Sequence, residues 1–212
     1  MYQRIIIADD HAVVRDGLCR LLESSGRYRV EGAVSSAEHL LEACRTALPD
    51  LIILDLAMPG MGGIEGLRRL LIKWPALNVA VFSIYHNTRL VQRLIEMGAK
   101  GFITKSSESH IIVKGVKTVI SGRRFVSPDI DIDLATPSLD PISTLSSKEF
   151  DIFRCVAEGF GTQEISGKLF LSEKTIANNI SIIKRKLGAA NSAELVHLAI
   201  REGLLLMDRY DY

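Results

Sequence analysis

Cysteine is scarce in this chain of 212 residues, and the few cysteines are far apart. Cys19, Cys44 and Cys155 form no C-x-x-C pair and have no histidine nearby at metal-ligand spacing. An odd and scattered set argues against a disulfide scaffold and is typical of a reducing compartment. We therefore expect buried free thiols in a cytoplasmic protein.

Long apolar runs and an excess of charge are also absent. The longest apolar stretches are far below the ~18 residues that a membrane-spanning helix requires. A strand pattern begins within the first few residues, so we predict neither a signal peptide nor a membrane partner. The net charge of +1 by itself indicates no class of partner.

Four short apolar runs are present in the first half, and each ends in polar residues. Such runs are typical of parallel strands buried on both faces. Ligands of open α/β sheets bind beyond the carboxyl ends of the strands. If these strands are neighbours, three carboxylates, one hydroxyl and one ammonium meet at a single edge. The polar residues that follow the runs are Asp9 and Asp10, Asp55, Ser83, and Lys105.

This set of side chains predicts a phosphorylation site that uses a metal ion. Asp9, Asp10 and Asp55 offer the hard oxygen ligands that Mg²⁺ prefers. Asp55 is the best nucleophile, because it is a lone carboxylate followed by an accessible Pro/Gly loop, and an aspartyl phosphate is a known covalent strategy. Lys105 and Ser83 would contact phosphoryl oxygens.

Two alternatives remain open for these residues. Asp9 and Asp10 could merely cap the following helix, with Lys105 a surface charge. The site could also belong to a phosphatase that forms an aspartyl phosphate during turnover. Such enzymes commonly carry a second acid two residues after the nucleophile, and position 57 is alanine here.

Strand and helix patterns alternate over the first ~120 residues, which predicts a parallel sheet with right-handed crossovers. Ser35 and Glu38 have the spacing of a capping box at the start of the second helix. Residues 127–144 contain three prolines and four aspartates without a sustained period, which is typical of a linker. Beyond it the patterns are helical, and we expect caps at Ser146, Thr162 and Ser172.

The third helix of the second half has one apolar and one polar face. Ile176, Ile180, Ile183 and Leu187 would face the core. A helix of this polarity fits the major groove of DNA, although it could also be an ordinary solvated helix. The candidate DNA-contacting residues are Lys174, Thr175, Ala177, Asn178, Ser181, Ile182, Lys184 and Arg185.

The charge of the second half is balanced. From residue 143 onward, nine basic residues face nine acidic ones. Such a module lacks the broad positive field that drives non-specific DNA binding. We expect weak binding by the monomer and stronger binding by a dimer.

The first half resembles the receiver domain of two-component response regulators. The doubled acid, Asp55 with Met58-Pro59 and Gly63 behind it, Ser83 and Lys105 carry the resemblance. It implies that Asp55 is the phosphoacceptor, that Asp10 binds Mg²⁺ directly and Asp9 through water, and that the Ala57 carbonyl completes the ligands. It also places Ser83 and Phe102 at the switch positions. Ile84 stands where that family often has a small residue.

The second half resembles the LuxR-type DNA-binding domain, so the whole chain is similar to NarL/FixJ-type response regulators. The motifs are Leu145 to Glu149, Leu171-Ser172 with Thr175-Ile176, and Lys186-Leu187-Gly188. The resemblance implies a flavodoxin-like, doubly wound, five-stranded parallel sheet followed by a four-helix helix-turn-helix domain. We place the receiver at residues 1–122, the linker at 123–144 and the DNA-binding domain at 145–212.

Four residues of the DNA face depart from that family, so its target sequence cannot be transferred. The departures are Ala177, Asn179, Ile182 and Ser192. Ala177 and Ile182 could touch thymine methyl groups. A partner-only regulator with a degenerate DNA surface therefore stays an alternative.

The favoured interpretation is a phosphorylation-controlled transcription factor rather than an enzyme. A sensor histidine kinase would phosphorylate Asp55. The expected partners are that kinase, double-stranded DNA, a second copy of the chain on activation, and RNA polymerase.

Overall fold

The computed structural model describes residues 2–84, 86, 88–132 and 141–201. The chain divides into two compact units, residues 1–135 and 136–212. Part of the predicted linker, residues 133–140, lies outside the described residues, and so do residues 202–212. No helix in the described ranges is both long enough and apolar enough to cross a membrane.

The first unit is a parallel sheet with helices between its strands. The strand order is β2-β1-β3-β4-β5-β6, which confirms the doubly wound fold. The helices and strands are β1 (Gln3–Ala8), α1 (Ala12–Glu23), β2 (Tyr28–Val34), α2 (Ala37–Thr46), β3 (Leu51–Leu54), α3 (Gly63–Lys73), β4 (Val79–Ser83), α4 (Thr88–Glu96), β5 (Gly101–Thr104), α5 (Ser109–Ile120) and β6 (Phe125–Val126).

The apolar runs form the central strands because both faces of the sheet are covered. Every residue of β3, β4 and β5 is buried. Buried aliphatic side chains contribute roughly 1.5–3 kcal/mol each, so these runs supply much of the stability of the unit.

The sheet has six strands rather than the predicted five. The sixth strand pairs with β5, with Gly101 opposite Phe125 and Phe102 opposite Val126. It lies within the predicted linker. A strand of two residues is too short to produce an alternating pattern, which is why the sequence did not indicate it.

The cap of α2 also differs from the prediction. Ser36, not Ser35, is the N-cap, and its hydroxyl accepts a hydrogen bond from the backbone N–H of His39. Glu38 accepts instead from the backbone N–H of Met61, at 2.8 Å. The carboxylate thus ties α2 to the loop that follows β3.

The second unit is helical. It contains a 3₁₀ turn (Pro141–Thr144) and the helices α6 (Ser147–Ala157), α7 (Thr162–Leu169), α8 (Glu173–Leu187) and α9 (Ser192–Arg201). The predicted caps at Ser146 and Ser172 are confirmed. The predicted cap at Thr162 is wrong, because Gly161 is the N-cap and its N–H donates to Glu164.

The cysteines are free thiols. Cys44 and Cys155 are buried, as predicted, whereas Cys19 is half-buried. Burial raises the pKa of the Cys44 thiol to about 11. The thiol therefore stays protonated at neutral pH and behaves as a small apolar side chain.

Glu149 connects two helices of the second unit. Its carboxylate accepts from the Ser146 backbone N–H at 2.7 Å and contacts Lys186 Nζ of α8 at 2.7 Å. The hydrogen bonds from Lys186 and Ser146 lower the pKa of Glu149. The contact fixes the start of α6 against the end of α8.

We expect Glu149→Ala to lower the free energy of unfolding by about 1–3 kcal/mol, because a cap acceptor and a charge partner are lost together. Glu149→Gln keeps an acceptor for the Ser146 N–H and should therefore lose less stability than Glu149→Ala.

The stabilisation by Glu149 should also depend on pH. Because folding lowers the pKa of Glu149, the ionised carboxylate stabilises the folded state at pH values above its unfolded pKa of about 4.3. This contribution disappears as the pH falls through the folded pKa. Urea unfolding at neutral and acidic pH measures both effects. A difference between wild type and Glu149→Ala that does not shrink in acid would contradict this account.

Candidate functional site

The strand order brings the predicted pocket residues to one edge of the sheet. β1, β3, β4 and β5 are successive neighbours. Asp9, Asp55 and Lys105 follow β1, β3 and β5, and Ser83 is the last residue of β4. The sequence alone did not show that these strands are adjacent, and the structure shows that they are.

Lys105 bridges two of the carboxylates. Its Nζ lies 2.7 Å from Asp9 Oδ2 and 3.0 Å from Asp55 Oδ2. Both carboxylates are 1 % exposed. Burial alone would lower the pKa of Lys105, but the hydrogen bond to Asp9 and the attraction of Asp55 outweigh it and raise the pKa. The ammonium is thus held in its charged form at the centre of the pocket.

The surroundings of Asp55 disfavour its ionised form. Burial raises its pKa, and nearby Asp9 adds to the rise, whereas the positive charge of Lys105 opposes it. Asp55 Oδ1 also accepts a hydrogen bond from the Leu56 backbone N–H at 2.8 Å. The pocket therefore keeps a carboxylate in place that burial disfavours.

Asp10 and His11 form the more exposed side of the pocket. His11 Nδ1 lies 2.7 Å from Asp10 Oδ1 and 3.3 Å from Asp9 Oδ1. The His11 backbone N–H donates to Asp9 Oδ1. Single ligand atoms from Asp9, Asp10, His11 and Asp55 all lie within 4.8 Å of one another, close enough to surround one cation.

The loop after Asp55 is shaped by a close contact between backbones. A Cβ atom on Gly63 would lie 2.0 Å from the Asp55 carbonyl oxygen and 2.5 Å from Leu56 Cα. The Gly63 N–H donates to the Leu56 carbonyl at 3.0 Å. Only glycine allows α3 to begin directly against the backbone of Asp55 and Leu56. Ala57 lies half-buried in the same loop.

The two predicted switch residues are fully buried. Ser83 and Phe102 are each 0 % exposed. Ser83 pairs with Thr104 across β4 and β5, and the Lys105 N–H donates to the Ser83 carbonyl at 3.0 Å. The Ser83 backbone is therefore bonded directly to that of Lys105. Ile84, which follows, is 60 % exposed.

Two supporting contacts were not predicted. Arg15 Nη1 donates to the Asp9 carbonyl at 2.6 Å, from one turn into α1. The hydroxyl of buried Thr104 donates to Asp129, and Ser127 Oγ accepts from the Thr104 N–H. The first contact joins residues six positions apart through a backbone carbonyl outside α1, so side-chain spacing along the helix does not indicate it. Nothing in the sequence pattern indicates the second.

The surface of α8 agrees with the predicted amphipathic pattern. Ile176 and Ile183 are 0 % exposed, whereas Ile180 and Leu187 are partly buried. On the other side, Lys174, Ala177, Asn178, Ser181 and Arg185 are exposed, and Thr175, Ile182 and Lys184 are partly exposed. The candidate DNA-contacting residues are thus accessible.

Two of the candidate DNA-contacting side chains already form hydrogen bonds within α8 or with its N-cap residue. The Ser181 hydroxyl donates to the Ala177 carbonyl at 3.1 Å. The Thr175 hydroxyl pairs with that of Ser172 at 2.8 Å. Contacts to another molecule by these hydroxyls would replace or share existing hydrogen bonds, whereas Lys174 and Arg185 extend from exposed positions.

Comparison with known proteins identifies both units. Residues 5–117 match the response regulator receiver domain, and residues 143–199 match the luxR family of bacterial regulatory proteins. Response regulator GacA of Pseudomonas aeruginosa is 33 % identical over 208 residues, which cover 95 % of this chain and 97 % of that protein.

Two solved structures of the response regulator RcsB are also similar. RcsB from Salmonella enterica serovar Typhimurium, bound to promoter rprA in the presence of the phosphomimetic BeF3⁻, is 27 % identical with a TM-score of 0.59, covering 92 % of this chain and 98 % of that one. A structure of two RcsB dimers on two parallel DNAs is 26 % identical with a TM-score of 0.59, covering 95 % and 99 %.

Proposed function

Because this chain belongs to the two-component response regulators that join a receiver domain to a LuxR-type DNA-binding domain, we propose that phosphorylation of Asp55 controls its dimerisation and its binding to a specific DNA sequence. The family consists of transcription regulators, which decides against the phosphatase alternative. The single observation that carries the proposal is the buried cluster of Asp9, Asp55 and Lys105 at one sheet edge.

The donor set of the pocket fits Mg²⁺. Three carboxylates lie close together, and Lys105 is the cation that pairs with the two buried ones. A divalent cation would compensate the remaining negative charge. We assign Asp9, Asp10, Asp55 and the backbone carbonyl of Ala57 to this site. Mg²⁺, when bound, would neutralise the carboxylates and the incoming phosphoryl oxygens.

In the transfer step, the phosphoryl group would pass from a phosphohistidine of the sensor kinase to the Asp55 carboxylate. The nitrogen–phosphorus bond breaks and an oxygen–phosphorus bond forms. Lys105, already charged and in place, would pair with a phosphoryl oxygen. The loop held by Gly63 orients the Asp55 backbone.

Switching would follow through Ser83 and Phe102. The Ser83 hydroxyl would turn toward the phosphoryl group, and Phe102, whose ring is buried, would repack with it. Two arrangements of these side chains would define the two states whose balance phosphorylation shifts. The backbone hydrogen bond from Lys105 to Ser83 links Ser83 to the residue that would pair with the phosphoryl group.

In the active dimer, two copies of α8 would enter successive major grooves, with half-sites about one helical turn apart. We assign Lys174, Thr175, Ala177, Asn178, Ser181, Ile182, Lys184 and Arg185 to this contact. The DNA-bound and dimeric RcsB structures support the arrangement by analogy. The protein would act in the cytoplasm, with RNA polymerase as a further partner.

Selection from random duplex DNA tests the proposal. The full chain is used with beryllofluoride and Mg²⁺, beside an untreated sample and an Asp55→Ala variant. We expect an inverted repeat to be enriched with the activated wild type alone. Enrichment of the same sequence in all three samples would contradict gating by Asp55. Enrichment in none would favour a partner-only regulator, consistent with the exposed Ala177 and balanced charge.

A further inference from the structure

Phe170 combines an unfavourable backbone conformation with an exposed aromatic ring. It ends α7 with φ 55° and ψ 42°, and it is the one non-glycine residue with positive φ in the described ranges. Its side chain is 94 % exposed. A left-handed conformation costs an L-residue other than glycine or asparagine roughly 1–2 kcal/mol. Neither burial nor packing within the described parts of the chain offsets this cost.

The surrounding turn holds Phe170 in that conformation. The Phe170 N–H donates to the Ser166 carbonyl. The Leu171 N–H donates to the same carbonyl at 3.2 Å, and the Ser166 hydroxyl donates to the Leu171 carbonyl. These bonds define the turn between α7 and α8. Glycine or asparagine would satisfy the same geometry without strain, so the phenyl ring is not required by the turn.

The position of Phe170 places its ring beside the DNA-reading helix. It stands two residues before Ser172, the N-cap of α8. The N-terminal residues of a recognition helix lie closest to the base edges, and the flanking turn lies near the DNA backbone. One cation in the neighbourhood is already engaged, because Lys168 Nζ lies 4.1 Å from the centre of the Phe160 ring.

The neutral net charge of this unit leaves a role for non-ionic contacts with DNA. Nine acidic residues balance nine basic ones from residue 143 onward, and Ala177 contributes no charge to the exposed face of α8. Phosphate neutralisation by basic side chains normally supplies most of the affinity for DNA. The basic residues of α8 supply local phosphate contacts, and apolar contacts with sugars and thymine methyl groups can add to them.

We propose that Phe170 is a DNA-contacting residue, whose ring packs against a deoxyribose or thymine methyl group at the edge of the groove that α8 enters. The proposal rests on the function proposed above and deepens it by adding a contact outside α8. The strained turn keeps the ring exposed before binding. DNA then covers it.

Three variants of Phe170 test this contact. Phe170→Asn and Phe170→Gly fit the left-handed conformation and remove the ring, whereas Phe170→Tyr keeps the ring and the strain. The probe is the duplex recovered by selection with the wild-type chain. We measure its Kd for each full-length, beryllofluoride-activated variant over a range of salt concentrations, together with the midpoint of thermal unfolding.

We expect Phe170→Asn and Phe170→Gly to unfold at higher temperature than the wild type and yet to bind roughly tenfold more weakly, because an apolar contact is lost. The dependence of log Kd on log salt should stay unchanged, since no charge is removed. Phe170→Tyr should bind within about twofold of the wild type. As a control, Lys174→Gln should reduce the salt slope by about one unit.

Equal affinity of Phe170→Asn and wild type would overturn the proposal, and so would a lower unfolding temperature of Phe170→Asn. If Phe170→Asn abolishes beryllofluoride-induced dimerisation without DNA, the ring contacts a second copy and the proposal is again overturned. If the wild type itself selects no duplex, the proposed function fails first. The two failures are therefore distinguishable.

Discussion

Asp55→Ala is expected to abolish both phosphorylation and phosphorylation-induced dimerisation. The variant lacks the proposed nucleophile, and position 57 carries alanine rather than a second carboxylate. Dimerisation is measured by light scattering after size-exclusion chromatography, with and without a small-molecule phosphodonor and Mg²⁺. Asp16→Ala, which removes an exposed acid on α1, is the matched control and should respond like the wild type.

Asp55→Ala should not destabilise the unphosphorylated protein. Burial raises the pKa of Asp55, so ionisation of this carboxyl is less favourable in the folded than in the unfolded state. For a raised pKa, the stabilising contribution is full at low pH and is lost as the pH rises through the folded value. Ionisation of Asp55 therefore lowers the stability of the folded state relative to the protonated form. A donor-dependent dimer of Asp55→Ala would contradict the assignment of the phosphoacceptor.

Gly63→Ala is expected to have the second large effect, although residue 63 carries no functional group. The added methyl would overlap the Asp55 carbonyl oxygen and Leu56 Cα, both of which are backbone atoms that cannot rotate away. We expect a loss of about 3 kcal/mol in the free energy of unfolding, at the upper end of overpacking effects. Displacement of Asp55 by about 1 Å should slow phosphorylation by roughly a hundredfold.

Urea unfolding and the rate of phosphorylation by a small-molecule donor measure these two effects. Gly17→Ala is the matched control, because nothing lies within 4 Å of a Cβ at that position in α1. A helical Gly→Ala change at an open site should stabilise by up to about 1 kcal/mol. Normal phosphorylation of a folded Gly63→Ala variant would contradict the role given to the loop.

The central pocket could be predicted because its signal is carried by strands. Asp9, Asp55 and Lys105 each follow an apolar run, and parallel strands bring their carboxyl ends to one edge. The contacts of Lys105 with two aspartates follow from that geometry. The apolar runs alone do not establish that these strands are adjacent in the sheet; the strand order shows it.

Details that depend on single hydrogen bonds could not be predicted. Ser35 and Ser36 are equally good caps by residue type, and in the structure Ser36 is the cap while Glu38 bonds to the loop after β3. Gly161 displaces Thr162 as the cap of α7 because Glu164 accepts from its N–H. Residue type predicts such a helix start only to within one or two residues.

The hydrogen bonds of Thr104 with Ser127 and Asp129 could not be predicted for a different reason. Thr104 and Ser127 are 23 positions apart, and the β5–β6 pairing brings them together. Because β6 has only two residues, its pattern is indistinguishable from that of a loop. Long-range polar contacts of this kind leave no periodic signal in a single sequence.

The central claim is that phosphorylation of Asp55 increases affinity for DNA. Its most direct test is the Kd of the full chain for the selected duplex, measured with Mg²⁺ in the presence and absence of beryllofluoride, for wild type and Asp55→Ala. The account predicts that beryllofluoride tightens binding by the wild type at least about tenfold, which corresponds to about 1.4 kcal/mol, and leaves Asp55→Ala unchanged. Equal affinity of the wild type in both conditions would contradict it.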